Sequence, residues 1–167
     1  GSALEQTAYD GFNLCEFGDV VVVTVNHRTN VLGYLDLAPF SNRYSHSANA
    51  GNLDLIAALK WVHRNIENFG GDPDQVTIFG QSGGGVKVIS VMNMPDSAGL
   101  YCRAMIMSGT MGKHLSDAGR DMTQNVKRML KILNIEEQEI EKLEEVSHRE
   151  LAEAYLKAHH ELGGKGL

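Results

Sequence analysis

Apolar residues fall into two kinds of run along this chain. The first kind is continuous: Val20-Val21-Val22-Val23-Thr24-Val25 is unbroken and β-branched, the composition of a strand buried on both faces in a parallel sheet covered by helices. Val76-Thr77-Ile78-Phe79 and Ala104 to Met107 read as two further short strands of the same buried kind. The second kind is periodic. Leu55, Leu59, Val62, Ile66 and Phe69 recur in steps of four and three, which gathers them on one helical face. Asn49 or Asn52 can cap that helix, and Gly70-Gly71-Asp72-Pro73 stops it. A second apolar helix is expected from about Val86 to Met92, closed by Pro95.

Strand, helix, strand, helix, strand implies right-handed crossovers and an α/β fold built on a doubly wound, mostly parallel sheet with flanking helices. The stretch through Pro39 and Ser41 to Asn49 is loop-like and long enough to rim a site. Past Asp121 the pattern turns to charged amphipathic helix. Val126, Met129, Leu130 and Leu133 share a face, followed by Ile140, Leu143 and Val146, and Ser147 with Glu150 predicts a capping box for a last helix through Leu151, Ala154 and Ala158. Residues 1–115 are therefore expected to form the α/β part and residues 116–167 a helical segment of the same domain.

Composition adds little to this and excludes more. With 43% hydrophobic and 22% charged residues the chain has the means for one core. A net charge of -6, mixed in sign along the sequence, offers a polyanion little purchase, so no nucleic-acid partner is expected. No stretch reaches the ~18 apolar residues of a membrane span, and no membrane partner is expected. Cys15 and Cys102 lie far apart without a CxxC or a histidine at metal spacing; two free thiols, no metal site and a reducing, cytoplasmic setting follow as expectations.

The chemistry sits at Gly80-Gln81-Ser82-Gly83-Gly84, a G-x-S-x-G pattern between an expected strand and an expected helix. A nucleophilic serine there projects from a turn so sharp that side chains two residues to either side would collide, which calls for Gly80 and Gly84. The helix that follows aims its first amides at the same point, so the Gly83 N–H can serve an oxyanion formed when Ser82 attacks a carbonyl. Two rival readings of these glycines fail on spacing. A phosphate loop GxxxxGK[ST] needs Lys directly after Gly85, where Val86 stands, and a dinucleotide turn GxGxxG needs glycine at position 82.

From these residues the chain resembles the type-B carboxylesterases, the family of bacterial para-nitrobenzyl esterases and cholinesterases. The likeness is carried by the run from Gly18-Asp19 through Asn26-His27-Arg28 and by Asn30-Val31-Leu32-Gly33-Tyr34. Gly51-Asn52-Leu53-Asp54, Ala58 to Val62, Phe69 to Pro73, the Val76–Gly85 elbow and Ala104–Gly109 extend it. The resemblance implies a partial α/β-hydrolase fold with a nucleophile elbow, the catalytic serine at Ser82, an oxyanion donor at Gly83 where the family usually has alanine, and a small-molecule ester as substrate with no cofactor. Gln81 stands where cholinesterases have glutamate, which tilts the expectation toward neutral esters. His27 replaces the usual tyrosine.

The resemblance also places the glycine-rich oxyanion loop before Gly1 and the triad Glu and His beyond Leu167. The chain is accordingly expected to be a piece of a longer serine esterase and inactive alone. An internal triad from Ser82, Asp117 and His148 or His159 would keep the family order, but His148 lies inside a capping sequence and His159 near a helix end, so it is the weaker reading. His46, His63 and His114 suggest no partner. The alternative of a different class is a non-catalytic, cholinesterase-like binding module. Oligomeric state is not legible.

Overall fold

The computed structural model describes residues 10–109 and 122–163. In chain order the helices are α1 (Phe12–Gly18), α2 (Asn30–Tyr34), α3 (Ala50–Asn65), α4 (Gly83–Met92), α5 (Thr123–Ile132) and α6 (His148–Glu161), with strands β1 (Thr77–Gln81) and β2 (Arg103–Met107). Contacts divide the chain into two compact units, Gly1–His27 with Asn52–Leu115, and Arg28–Gly51 with Ser116–Leu167.

The first unit is built around a β–α–β crossover. β1 pairs with β2 in parallel, Thr77 opposite Arg103 through Gln81 opposite Met107, and α4 packs on both strands. A parallel pair needs a crossover of this length, because a tight hairpin returns the chain antiparallel. The small core beneath it joins Ile56 of α3, Val91 of α4 and Leu100, with Leu55, Leu59 and Ile78 packed against them. Beyond Asn65 the α3 periodicity tightens into a 3-10 turn, Ile66–Phe69, and ends on Gly70 at φ 82, the left-handed cap that glycine adopts without a Cβ penalty.

Two expectations need correction here. Residues 20–25 are not a strand: among the described residues nothing pairs with them, and Val20, Val21, Val23 and Val25 are 37–47% exposed. β-Branching favours an extended backbone, but a strand exists only through a ladder to a neighbour and a surface to pack on. The two strands that do form are not buried on both faces either. Phe79 is 50% and Met105 54% exposed, because α4 covers one face while the other remains open to solvent. A run of apolar side chains reports what a sheet is suited to bury, not what is there to bury it.

The second unit is helical. α5 and α6 pack on each other and on residues 31–37, burying Val31, Leu35, Val126, Met129, Leu130, Leu151, Ala154 and Ala158 in one core with Ile140 and Leu143 of the 3-10 segment Glu137–Glu145. The α5 and α6 faces are those the periodicity marks. The capping box is present in full: the Glu150 N–H donates to Ser147 Oγ, and the Ser147 N–H donates to Glu150 Oε2, each at 3.3 Å. Residues 41–44 are tied to the 3-10 segment by Tyr44, whose hydroxyl donates to Glu144 Oε1 at 2.7 Å, and by Arg43, which bridges Glu141 and Glu144.

Met129 is fully buried in this unit, so Met129→Ala should cost about 2–5 kcal/mol by transfer and cavity terms, whereas Ser147→Ala, which removes one cap, should cost about 1 kcal/mol. Urea unfolding followed by far-UV circular dichroism tests both. Equal costs for the two variants would mean that burial of Met129 in this core contributes no more than the α6 cap.

Candidate active site

Ser82 is the single residue between β1 and α4. Its backbone sits at φ 53 and ψ -115, outside the allowed wells of an L-residue, and its side chain is exposed. The hydroxyl does not cap α4, although serine is among the preferred capping residues, and the residue stands exposed at the carboxyl end of the strand. The corner is held by the backbone: the Ser82 N–H donates to Met107 O at 2.8 Å, and Ser82 O accepts from the Val86 N–H at 3.1 Å.

Glycine makes this packing possible, though at only one of the two places that the motif suggests. A Cβ on Gly80 would lie 2.3 Å from Gly84 O, so Gly80 is required as expected. A Cβ on Gly84 would meet nothing within 4 Å; the requirement at this end of the turn falls on Gly85, where a Cβ would lie 2.2 Å from Ser108 O. Gly109, at φ 98, closes the other side, and a Cβ there would lie 2.4 Å from Ser82 O. The Ser108-Gly109 step is thus a turn whose backbone abuts the elbow, with Ser108 itself at φ 61. Gly85 and Gly109 were not singled out by the motif; only the Gly83-Gly84-Gly85 run and the Ser108-Gly109 step hint at them.

Gly83 opens α4, so its N–H is one of the first-turn donors that no helical carbonyl can take. Its own Cβ position is open. Gln81 ends β1 opposite Met107 and is exposed. Two charged or ionisable groups lie near the base of α4. Burial holds the half-buried Lys87 ammonium below its ordinary range. His27 is lowered too, first by burial, then by the charge of Lys87, with Asp54 acting in the opposite direction.

The histidines considered for an internal triad are otherwise placed. Asp117 and His114 lie outside the described residues. His148 is the exposed first residue of α6, and His159 shares a 3.2 Å hydrogen bond with Asn125 and stacks on Tyr155. His46 and His63 are exposed. Cys15 and Cys102 are free thiols. Among the described residues no helix is long and apolar enough to cross a membrane.

A strained, exposed serine on a strand-to-helix corner, with a glycine-limited backbone on both sides, directs attention to the hydrolase families. A model of the carboxylesterase family matches residues 1–165. The chain belongs to the carboxylesterase family. It is similar to the para-nitrobenzyl esterase of Bacillus subtilis, 42% identical over 151 residues, a match covering 87% of this chain and 29% of that protein. Against human carboxylesterase 3 it is 47% identical over 106 residues, covering 63% of this chain and 18% of that protein. Among solved structures, an esterase from Clostridium hathewayi, described as able to hydrolyse aliphatic aromatic polyesters, superimposes with a TM-score of 0.91 at 56% identity, over 98% of this chain and 33% of that one. These neighbours have the α/β-hydrolase fold, and the two-stranded parallel sheet with its helices is part of it. The chain spans about a third of the length of the solved relatives it matches.

If the backbone contacts are what hold the elbow, alanine substitutions will separate sharply. Gly80→Ala and Gly85→Ala, each driving a Cβ into a carbonyl, should lose more than about 2 kcal/mol, while Gly83→Ala, in open space on a helix, should be neutral or stabilising by about 0.4–1 kcal/mol. Chemical denaturation of the three variants checks the order, and a destabilising Gly83→Ala would contradict it.

Proposed function

We propose that the protein to which this segment belongs is a serine carboxylic-ester hydrolase and that Ser82 is its nucleophile. The observation that carries this reading is the Ser82 corner: an exposed non-glycine residue held at φ 53 whose side chain makes no capping bond to the helix. Binding alone gives no reason to maintain such strain at a serine. In the proposed reaction Ser82 Oγ attacks the ester carbonyl, and its proton passes to a histidine base oriented by a carboxylate. The Gly83 N–H stabilises the oxyanion, the alcohol leaves with the proton, and water then cleaves the acyl-enzyme. Gly80, Gln81 and Gly84 form the turn that presents the serine.

The base, its carboxylate and the further oxyanion donors are assigned to parts of the parent protein other than these 167 residues. A serine hydroxyl without a base is a poor nucleophile near neutral pH, so the segment alone is assigned little or no turnover. Substrates are assigned to neutral carboxylic esters, in keeping with Gln81 at the mouth of the turn and with relatives named as para-nitrobenzyl esterase and carboxylesterase.

In the parent protein a fluorophosphonate should label Ser82 stoichiometrically, and Ser82→Ala should abolish labelling and lower kcat on a para-nitrophenyl ester by about 10⁴-fold or more. The 167-residue chain should hydrolyse the same ester no faster than its own Ser82→Ala variant. An unlabelled parent protein would favour a non-catalytic binding module built on the hydrolase fold; sustained turnover by the isolated segment would mean that the triad is completed within it.

A further inference from the structure

The turn after β2 meets the elbow at the Ser82 carbonyl. Ser82 follows β1 and Ser108 follows β2, and with Gln81 opposite Met107 the two serines stand at neighbouring strand ends. Gly109 comes next and packs on that carbonyl: a Cβ added to it would overlap Ser82 O and lie 3.0 Å from Val86 N. These two atoms are the acceptor and the donor of the 3.1 Å hydrogen bond that closes the first turn of α4. The Ser82 C=O and the Gly83 N–H, in turn, are opposite ends of one planar peptide unit. Given the roles proposed for Ser82 and Gly83, we propose that Gly109 is a positioning residue for the oxyanion donor: its bare Cα backs the Ser82 carbonyl, fixes the rotation of that peptide, and so sets where the Gly83 N–H points.

Gly83 does little to hold this peptide itself. It carries no side chain, its Cβ position is open, and glycine has the widest choice of backbone angles. The restraint therefore comes from the partners of the Ser82 corner. The Ser82 N–H is tied to Met107 O, Ser82 O accepts from the Val86 N–H, and Gly109 closes the remaining side. Gly109 reaches this place at φ 98, after Ser108 at φ 61, so the turn holds two successive residues in left-handed backbone. A methyl group at position 109 would push Ser82 O aside, and because the peptide is planar the Gly83 N–H would swing with it. The oxyanion exists only once the carbonyl has been attacked, so a misdirected donor weakens the transition state and leaves substrate binding alone.

The parent protein supplies the test. Gly109→Ala should lower kcat on a para-nitrophenyl ester by about 10²-fold, the scale of losing one oxyanion donor, with KM unchanged. A trifluoromethyl ketone places an oxyanion at the same point, since Ser82 Oγ adds to its carbonyl carbon while the Ser82 proton passes to the base; its inhibition constant should weaken by a similar factor. Gly99→Ala is the structural control. Gly99 lies in the same unit at φ 76, yet a Cβ there meets nothing within 4 Å, so this variant should lose stability and keep kcat. If Gly109→Ala does not fold, Ser108→Gly and Ser108→Ala decide: both lack the hydroxyl, and only glycine frees the turn, so kcat should be lower in Ser108→Gly at equal KM. An unchanged kcat in folded Gly109→Ala, a loss shared by Gly99→Ala, a change in KM alone, or equal kcat in the two Ser108 variants would overturn the proposal. A wild-type parent protein that a fluorophosphonate fails to label would instead remove Ser82 as nucleophile, and this role of Gly109 with it.

Discussion

The elbow depends on how closely three stretches of backbone approach one another. Gly80 carries no side chain where Gly84 O passes, Gly85 none where Ser108 O passes, and Gly109 none where Ser82 O passes, the virtual Cβ distances being 2.2–2.4 Å in each case. No flexible side chain could yield at these points, because the obstacle is backbone every time. The turn between β1 and α4 and the turn after β2 are therefore interlocked, and the Ser82 N–H to Met107 O bond fastens them. Ser82 is strained at one residue, at a cost on the order of 1–3 kcal/mol, and everything around it is regular: a parallel ladder on one side, a ten-residue helix on the other. A lone strained residue persists only where its surroundings over-determine it, and here they do so from within a single β–α–β unit.

The second unit solves a different problem. Its helices carry mixed charge outside and gain their hold from one apolar core, with Val126, Met129 and Ala158 wholly buried, and from the local chemistry of the Ser147–Glu150 cap. Exposed ion pairs such as Arg149 with Glu153 decorate this unit, but pairs of that kind contribute only ~0–1 kcal/mol each, so side-chain burial decides its stability. The first unit, by contrast, leaves Phe79, Met105 and the valines 20, 21, 23 and 25 in contact with solvent.

That contrast explains what could be read from the sequence. Where a structure rests on local rules, the reading held: the helix stopped at Gly70, the α5 and α6 faces, the capping box, and the serine on a strand-to-helix corner are all decided by residues within one or two turns of each other. Where it rests on partners distant in sequence, the reading overreached. Val20 to Val25 has the composition of a doubly covered strand but no ladder among the described residues. The glycine requirement was misplaced by one residue, at Gly84 in place of Gly85, because the atom that imposes it, Ser108 O, comes from a turn more than twenty residues away.

The same division governs the chemistry. Presenting a serine on such a corner is a backbone problem, solved here by a sharp turn, three glycines and the first turn of a helix, all within residues 80–109. Activating it is a side-chain problem, since a base must reach Oγ and be oriented by a third group, and nothing in the geometry of the corner dictates where in the chain those groups reside. A short motif can therefore mark the backbone of such a corner and remain silent about any side chain that would act with it. The corner itself is complete within residues 80–109 of a chain that spans about a third of the solved relatives it matches.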